Sequence, residues 1–389
     1  MTPLLYSLFF PSVTFGLLAA EVFPYALIFS ILVRKKYYKN EIYIYSLFLV
    51  SILWGILKFQ YFSFEIIRSL AAYINPLIIF FTIMFMSDSF VIKIISAFKK
   101  TFFFLIILAI IQFSGLLTIL NISSLFEFLV PRSAVTELGA GRGVTLLSTE
   151  PSRAATELIF IYLCCRFTCL NKNTHLLFDV IVFIILALII KSAIGILFFA
   201  LFYITTINLT RIVPFLLVIF VVITYLVGDA NVRWLVVFAE ISKAENLQVL
   251  WSVLVNSSGF RFISVYAGYL YGFLNPFGAG IGFWTDSSIL ALNLTNFLPQ
   301  EISYFASRDH HDWVSLRPTS YLSSLALDTG IVGLLVFLFM FKKYFYFLFQ
   351  RRIFAISIPF LAYFFMIGSI GNPLPWMALA VVMRKKMNE

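Results

Sequence analysis

HLLFDVIVFIILALII (residues 175–190), Lys191, SAIGILFFALFYITTINL (192–209), Thr210 and Arg211, then IVPFLLVIFVVITYLVG (212–228) is the stretch that decides the fold. Three apolar runs follow one another with only one or two other residues between them. Each is close to the length an α-helix needs to cross the hydrocarbon of a bilayer. A lipid-exposed backbone must satisfy its own hydrogen bonds, which leaves helices or a closed barrel, and a barrel strand would alternate apolar and polar residues where these runs do not. The same pattern recurs at 12–33, 41–57, 70–87, 101–120, 154–170, 319–341, 353–370 and 373–383. The expectation is an all-α, polytopic integral membrane protein with about eleven transmembrane helices, ten to twelve in all, in a single membrane domain over 1–389.

Composition agrees. Of 389 residues, 61% are hydrophobic, 19% aromatic and 12% charged, and the mean hydropathy is +0.99. A soluble core cannot absorb that much apolar surface. The formal charge of +10 invites a nucleic-acid reading. The lysines, however, cluster at the ends of apolar runs, where they anchor and orient helices, so no nucleic-acid partner is expected. Cys164, Cys165 and Cys169 fall in one expected helix, and neither long polar stretch has a cysteine, so no disulfide framework is implied. The first apolar stretch lacks a basic leader and a small-residue cleavage site and runs on to Val33. It is expected to stay in the membrane, with room before Arg34 for a second short segment. The last span follows Gly371, Asn372 and Pro373 and is short enough to be partly re-entrant.

Orientation follows from the basic residues. If Arg34 to Asn40 faces the cytoplasm, alternation puts Lys93 to Lys100, Arg166 to Lys172, Arg211, Lys342 to Arg352 and Arg384 to Lys386 there too, 17 Lys and Arg against six in the shorter loops opposite. Two polar stretches, 121–153 and 229–318, then face outward, the second too long for a connector. Together they hold seven arginines (Arg132, Arg142, Arg153, Arg233, Arg261, Arg308, Arg317) and one lysine, Lys243, whereas lysine leads elsewhere. A guanidinium forks onto phosphate through paired, directional hydrogen bonds, so arginine preference in these loops points to bound phosphate groups.

Within the first loop, Gly141-Arg142-Gly143-Val144-Thr145-Leu146-Leu147-Ser148-Thr149-Glu150-Pro151-Ser152-Arg153 runs directly into an apolar helix. Pro151 suits the first helical position, and free N–H groups at the helix start beside Arg142 and Arg153 make an anion site. The bland reading is that Glu150 offsets the helix dipole while the arginines snorkel to the headgroups of membrane lipids. In the second loop, Phe262, Val265, Tyr266, Tyr269 and Phe273 share a helical face over 261–273, as in a helix lying among headgroups. Asn275, Pro276, Gly278, Gly280 and Gly282 then stop that helix, either as a structural turn or as a substrate contact. Arg132 to Gly143 and Arg261 to Gly272 repeat the spacing of an arginine, ten residues and a glycine.

The second loop closes with Arg308-Asp309-His310-His311-Asp312-Trp313 and Arg317-Pro318-Thr319-Ser320-Tyr321. An imidazole near neutrality suits a base that removes a proton from a sugar hydroxyl. Adjacent ligands in one segment rarely converge on a metal without others from elsewhere, so no metal is expected. The Asp-His-His string is superficially like that of Asp-His-His-Cys palmitoyl transferases, but Asp312 stands where their thiol would be. Asp179 and Lys191, near the ends of their runs, read as anchors.

Three features resemble the Wzy family of O-antigen polymerases, relatives of the O-antigen ligases. They are Arg142-x-Val144 with Glu150-Pro151-Ser152, the glycine-rich Pro276 to Gly282, and Ser320 to Gly333 with Asp328 and Gly330 entering a helix. The resemblance implies a metal-independent, cofactor-free glycosyltransferase of GT-C type in the cytoplasmic (inner) membrane, its active site facing outward. It would join undecaprenyl-diphosphate-linked oligosaccharide repeats, with a chain-length-control protein as a possible partner. Arg142, Arg261 and Arg317, with Arg132 and Arg153, would then stabilise the leaving diphosphate. Glu150 would orient an arginine or bind a sugar hydroxyl, and His310 or His311 would act as base. A ligase that transfers finished glycan to lipid A core differs only in its acceptor. A lipid-linked oligosaccharide flippase would need a polar path among the helices, which the sequence does not show.

Overall fold

Five helices are long and apolar enough to cross a membrane: Lys39–Phe59, Phe64–Met84, Asp88–Phe113, Lys172–Ile189 and Tyr321–Leu348. The protein is therefore a multi-pass helical membrane protein. The structure, a computed structural model, describes residues 2–14, 22–34, 38–119, 122–130, 143–206, 240–243, 245–258, 260–306, 311–350 and 353–388. All the regular structure among them is helical. The expected span 212–228 lies outside the described residues. The others correspond to helices with shifted ends, and 12–33 is represented by the short helix Tyr25–Val33, after an initial helix Thr2–Ser7.

Two helices form the centre. Pro151–Thr168 and Leu374–Asn388 pack on each other, and on Asp88–Phe113 and Phe64–Met84. Residues Leu158 to Cys165 have no exposed surface, as befits a helix apolar all round. The basic residues meet at one end of this bundle. Arg384 Nη2 donates to Asp88 at 3.0 Å, and Lys385 Nζ caps the carbonyl of Thr168 at 2.6 Å. Arg34 forks onto the buried Glu41. One expectation changes here: residues 93–100 form no loop but belong to the first turns of Asp88–Phe113. Val91, Ile94, Ala97, Phe98 and Phe102 repeat at helical spacing toward the core while Lys93, Lys99 and Lys100 stay exposed, so the amphipathic stripe carries the helix past the apolar run.

Asp179 also departs from its expected role as a water-reaching anchor. It is 2% exposed and receives Arg166 Nε and Nη2 at 2.9 Å each, with Tyr203 Oη at 3.1 Å and a short bond from Tyr162 Oη. Lys191 stands in the left-handed region, just past a π turn over Ile185–Ile189 that ends its helix.

The second polar stretch is largely helical where described. Phe260–Leu274 runs beside Tyr321–Leu348 in the same direction: Ser323 Oγ donates to Val265 O at 2.6 Å, and a Cβ on Gly272 would meet Ala326 O at 2.4 Å. The face that packs is Ile263, Ala267, Gly268, Tyr271 and Gly272. Of the face expected among headgroups, Val265 is buried and Phe273 is exposed. Residues 275–283 then turn the chain back into Trp284–Asn293, which makes a helical hairpin. Its turn is inserted in the bundle. Ser51 Oγ, which accepts from Ile281 N at 3.2 Å, lies eight residues from the end of Lys39–Phe59, about 12 Å along a helix.

An irregular turn at that depth needs partners for its backbone, and a break in the neighbouring helix supplies them. Gly330 leaves the helical region at φ +65°, and the carbonyls of Leu327 and Asp328 accept from Ala279 N at 2.9 Å and Gly280 N at 2.7 Å. In return Val332 N donates to Pro276 O at 3.1 Å. Gly280 stands at φ +98°, and a Cβ there would lie 2.3 Å from Gly55 Cα.

Candidate functional site

The end of the bundle away from Arg384 holds a cleft of about 780 Å³, within the size range of ligand sites. One wall is the start of Pro151–Thr168, fixed by the segment before it. Val144 N donates to Ile189 O at 3.1 Å, a carbonyl made available where the π turn ends. Gln112 clamps Leu146 from both sides, accepting its N–H at 2.8 Å and donating to its carbonyl at 3.0 Å. Glu150, extended at φ −145°, is the N-cap, and Pro151 opens the helix where its missing N–H costs nothing.

Four arginines line the cleft: Arg68, Arg153, Arg261 and Arg317. They come from four separate parts of the chain. Arg68 stands in the second turn of Phe64–Met84 and bonds Glu65 at 3.0 Å. Arg261, at the start of Phe260–Leu274, pairs with Glu150, which also accepts from Ser152 Oγ at 3.1 Å. Arg153 lies within electrostatic reach of Glu157. Arg317 lies over the ring of Tyr73, 5.5 Å from its centroid. Its Nε and Nη2 are buried and make no hydrogen bond among the described residues. Phe64, Ile67, Ala71 and Ala72, on the helix that carries Arg68, together with Val22 and Pro24 give the cleft an apolar share of its lining.

The segment that carries Arg317 is held from two sides. Gly368 N donates to Thr319 O at 2.6 Å, and Ser324 Oγ to Pro318 O at 2.9 Å. Below it, Asn75 ties Leu27 N to Gly371 O at 3.0 and 2.8 Å. These bonds tie together the segments around Leu27, Asn75, Thr319 and Gly368 to Gly371 at the cleft.

Of the residues singled out from the sequence, Glu150, Arg153, Arg261 and Arg317 come together here. Arg132, Arg142 and His310 lie outside the described residues. His311 does not line the cleft: it is exposed, with Nδ1 2.9 Å from Gln300 Nε2. The glycine turn, Gly278 to Gly282, is absent from the lining too, because its backbone is engaged with the helix break at Gly330. No group of three His, Cys, Asp or Glu among the described residues converges as a metal site. Arg68 and Glu65 were missed because a lone arginine beside an apolar run reads as an anchor. Tyr73 was missed, and Asp328 was noted only as part of a motif, because their pairing at 2.8 Å joins positions 255 apart in sequence.

Comparison with known protein families, with curated proteins and with solved structures finds no match in any of the three. The fold and site define a multi-pass helical membrane protein with an arginine-lined cleft at the end opposite its basic one.

Proposed function

We propose that the protein is a surface-polysaccharide polymerase, a metal-independent glycosyltransferase that joins undecaprenyl-diphosphate-linked repeat units at the outer face of the cytoplasmic membrane. The observation that carries this reading is the convergence of Arg68, Arg153, Arg261 and Arg317 on one cleft with a partly apolar lining. Diphosphate is the leaving group of such a reaction. The acceptor hydroxyl attacks the anomeric carbon of the donor glycan and the bond from that carbon to the phosphate oxygen breaks. Negative charge then grows on the diphosphate, where guanidinium groups already in position stabilise it. The prenyl chain suits the lining of Phe64, Ile67 and Ala71. Removal of the hydroxyl proton falls to a carboxylate of the cleft, Glu65 or Glu150, rather than to His311, which stands apart from it.

Purified protein supplied with lipid-linked repeat units, and with no lipid A core, tests the proposal. A ladder of extended glycan is the expected product. Unextended repeats would count against a polymerase and favour a transferase that requires another acceptor.

A further inference from the structure

Every arginine of the cleft has a carboxylate near it, but the four carboxylates are of two kinds. Glu65 and Glu150 line the cleft, each bonded to its arginine at the surface. Asp328 and Glu157 do not line it and are buried within helices, 1% and 4% exposed. Each buried carboxylate has one oxygen engaged and one without a hydrogen bond among the described residues. Asp328 Oδ2 accepts from Tyr73 Oη at 2.8 Å and Glu157 Oε2 from Ser148 Oγ at 2.6 Å, which leaves Asp328 Oδ1 and Glu157 Oε1.

Asp328 is the sharper case. Its electrostatic partner is Arg317, the arginine whose Nε and Nη2 also lack hydrogen bonds, and Tyr73 stands between them, its ring under the guanidinium and its hydroxyl on the carboxylate. The position of Asp328 is fixed independently of the cleft, because its carbonyl accepts from Gly280 N at 2.7 Å and from Ser51 Oγ at 3.1 Å. A purely structural ion pair would close the gap and saturate both partners, since unpaired buried charges are costly. Here the guanidinium keeps its hydrogen-bonding capacity for something else.

We infer that Asp328 is a positioning residue that acts as the fixed counter-charge of Arg317, holding the guanidinium against Tyr73 and setting how tightly the cleft grips a diphosphate. An anion that reaches Arg317 competes with the field of Asp328. That limits affinity in the ground state and eases departure of the released diphosphate. The inference rests on the reading of the cleft as a diphosphate site.

Binding of inorganic pyrophosphate to the purified full chain, measured by equilibrium dialysis at about pH 9, where a buried carboxyl group is ionised, provides the test. Asp328→Asn keeps an acceptor for Tyr73 and removes only the charge. It is expected to bind pyrophosphate about five- to tenfold more tightly than the wild type, as the loss of one nearby negative charge in a partly buried site requires. Arg317→Gln is expected to bind more weakly, and adding Asp328→Asn to it should tighten binding by less than it does in the wild type, because only the direct repulsion then remains. A merely structural role for Asp328 would instead weaken binding or leave it unaltered, and either result for Asp328→Asn overturns the inference while leaving the diphosphate site intact. A wild type that binds no pyrophosphate overturns both. Should the amide variant fail to accumulate, Asp328→Ser, which keeps a hydroxyl acceptor, is judged by the same outcomes.

Discussion

Arg166 and Arg317 are both arginines set among tyrosines near a buried aspartate, yet one is saturated and the other is not. At the basic end, Arg166 forks onto Asp179 through two bonds of 2.9 Å, and Tyr162 and Tyr203 complete the carboxylate. In the cleft, Arg317 touches its aspartate only through Tyr73 and leaves two donors unused. The first arrangement has the features of an internal tie between helices. The second keeps an electrostatic capacity in reserve, as a site for an anion must. Arginine content alone does not separate the two; the bonding of the individual donors does.

Breaking the saturated cluster should have the largest effect. Asp179→Ala leaves Arg166 and two tyrosine hydroxyls without their acceptor and should cost about 3–5 kcal/mol, seen as a large drop in the thermal midpoint in detergent, while pyrophosphate affinity of the folded protein stays unchanged. Next comes the inserted turn docked against Asp328. Gly280→Ala adds a methyl against Gly55 at a backbone conformation that disfavours side chains and should lower stability by roughly 3 kcal/mol. A thermal midpoint equal to that of the wild type would mean that the turn is not docked as described.

Arg317→Lys should reverse that profile. Charge is retained and the fork is lost, so glycan elongation should fall about a hundredfold with little change in thermal midpoint; equal elongation rates would remove Arg317 from the site. Smallest of all, His311→Ala should leave elongation within about twofold, since the imidazole is exposed and off the cleft. A loss of tenfold or more would reinstate it as the base.

Much of this was legible in the chain. Apolar runs interrupted by short charged turns marked the helices. The contrast between lysine-rich turns and arginine-rich loops singled out Arg153, Arg261 and Arg317 together with Glu150. Element ends were less legible: the helix over Asp88–Phe113 begins well before its apolar run because an amphipathic stripe carries it on. The hairpin was only half visible. Its first helix was read as a surface element because Phe262, Val265, Tyr266, Tyr269 and Phe273 mark an apolar face, whereas Gly268 and Gly272, on the flank of that face beside Val265, bring the helix against Ser323 and Ala326. His311 fits a base by residue type, but the structure places it exposed and outside the lining of the cleft, beside Gln300.

Hydropathy and charge are local quantities that add along the chain, so the sequence alone determined that this is a helical protein of the membrane, with lysine and arginine set apart in different segments. Which arginine meets which carboxylate is a matter of contact between helices remote in sequence. Only tertiary packing brought Arg68 into the cleft, withdrew the glycine turn and His311 from it, and set Asp328 behind Tyr73, because close-packed side chains and a broken helix at Gly330, rather than any periodicity, fix those neighbours.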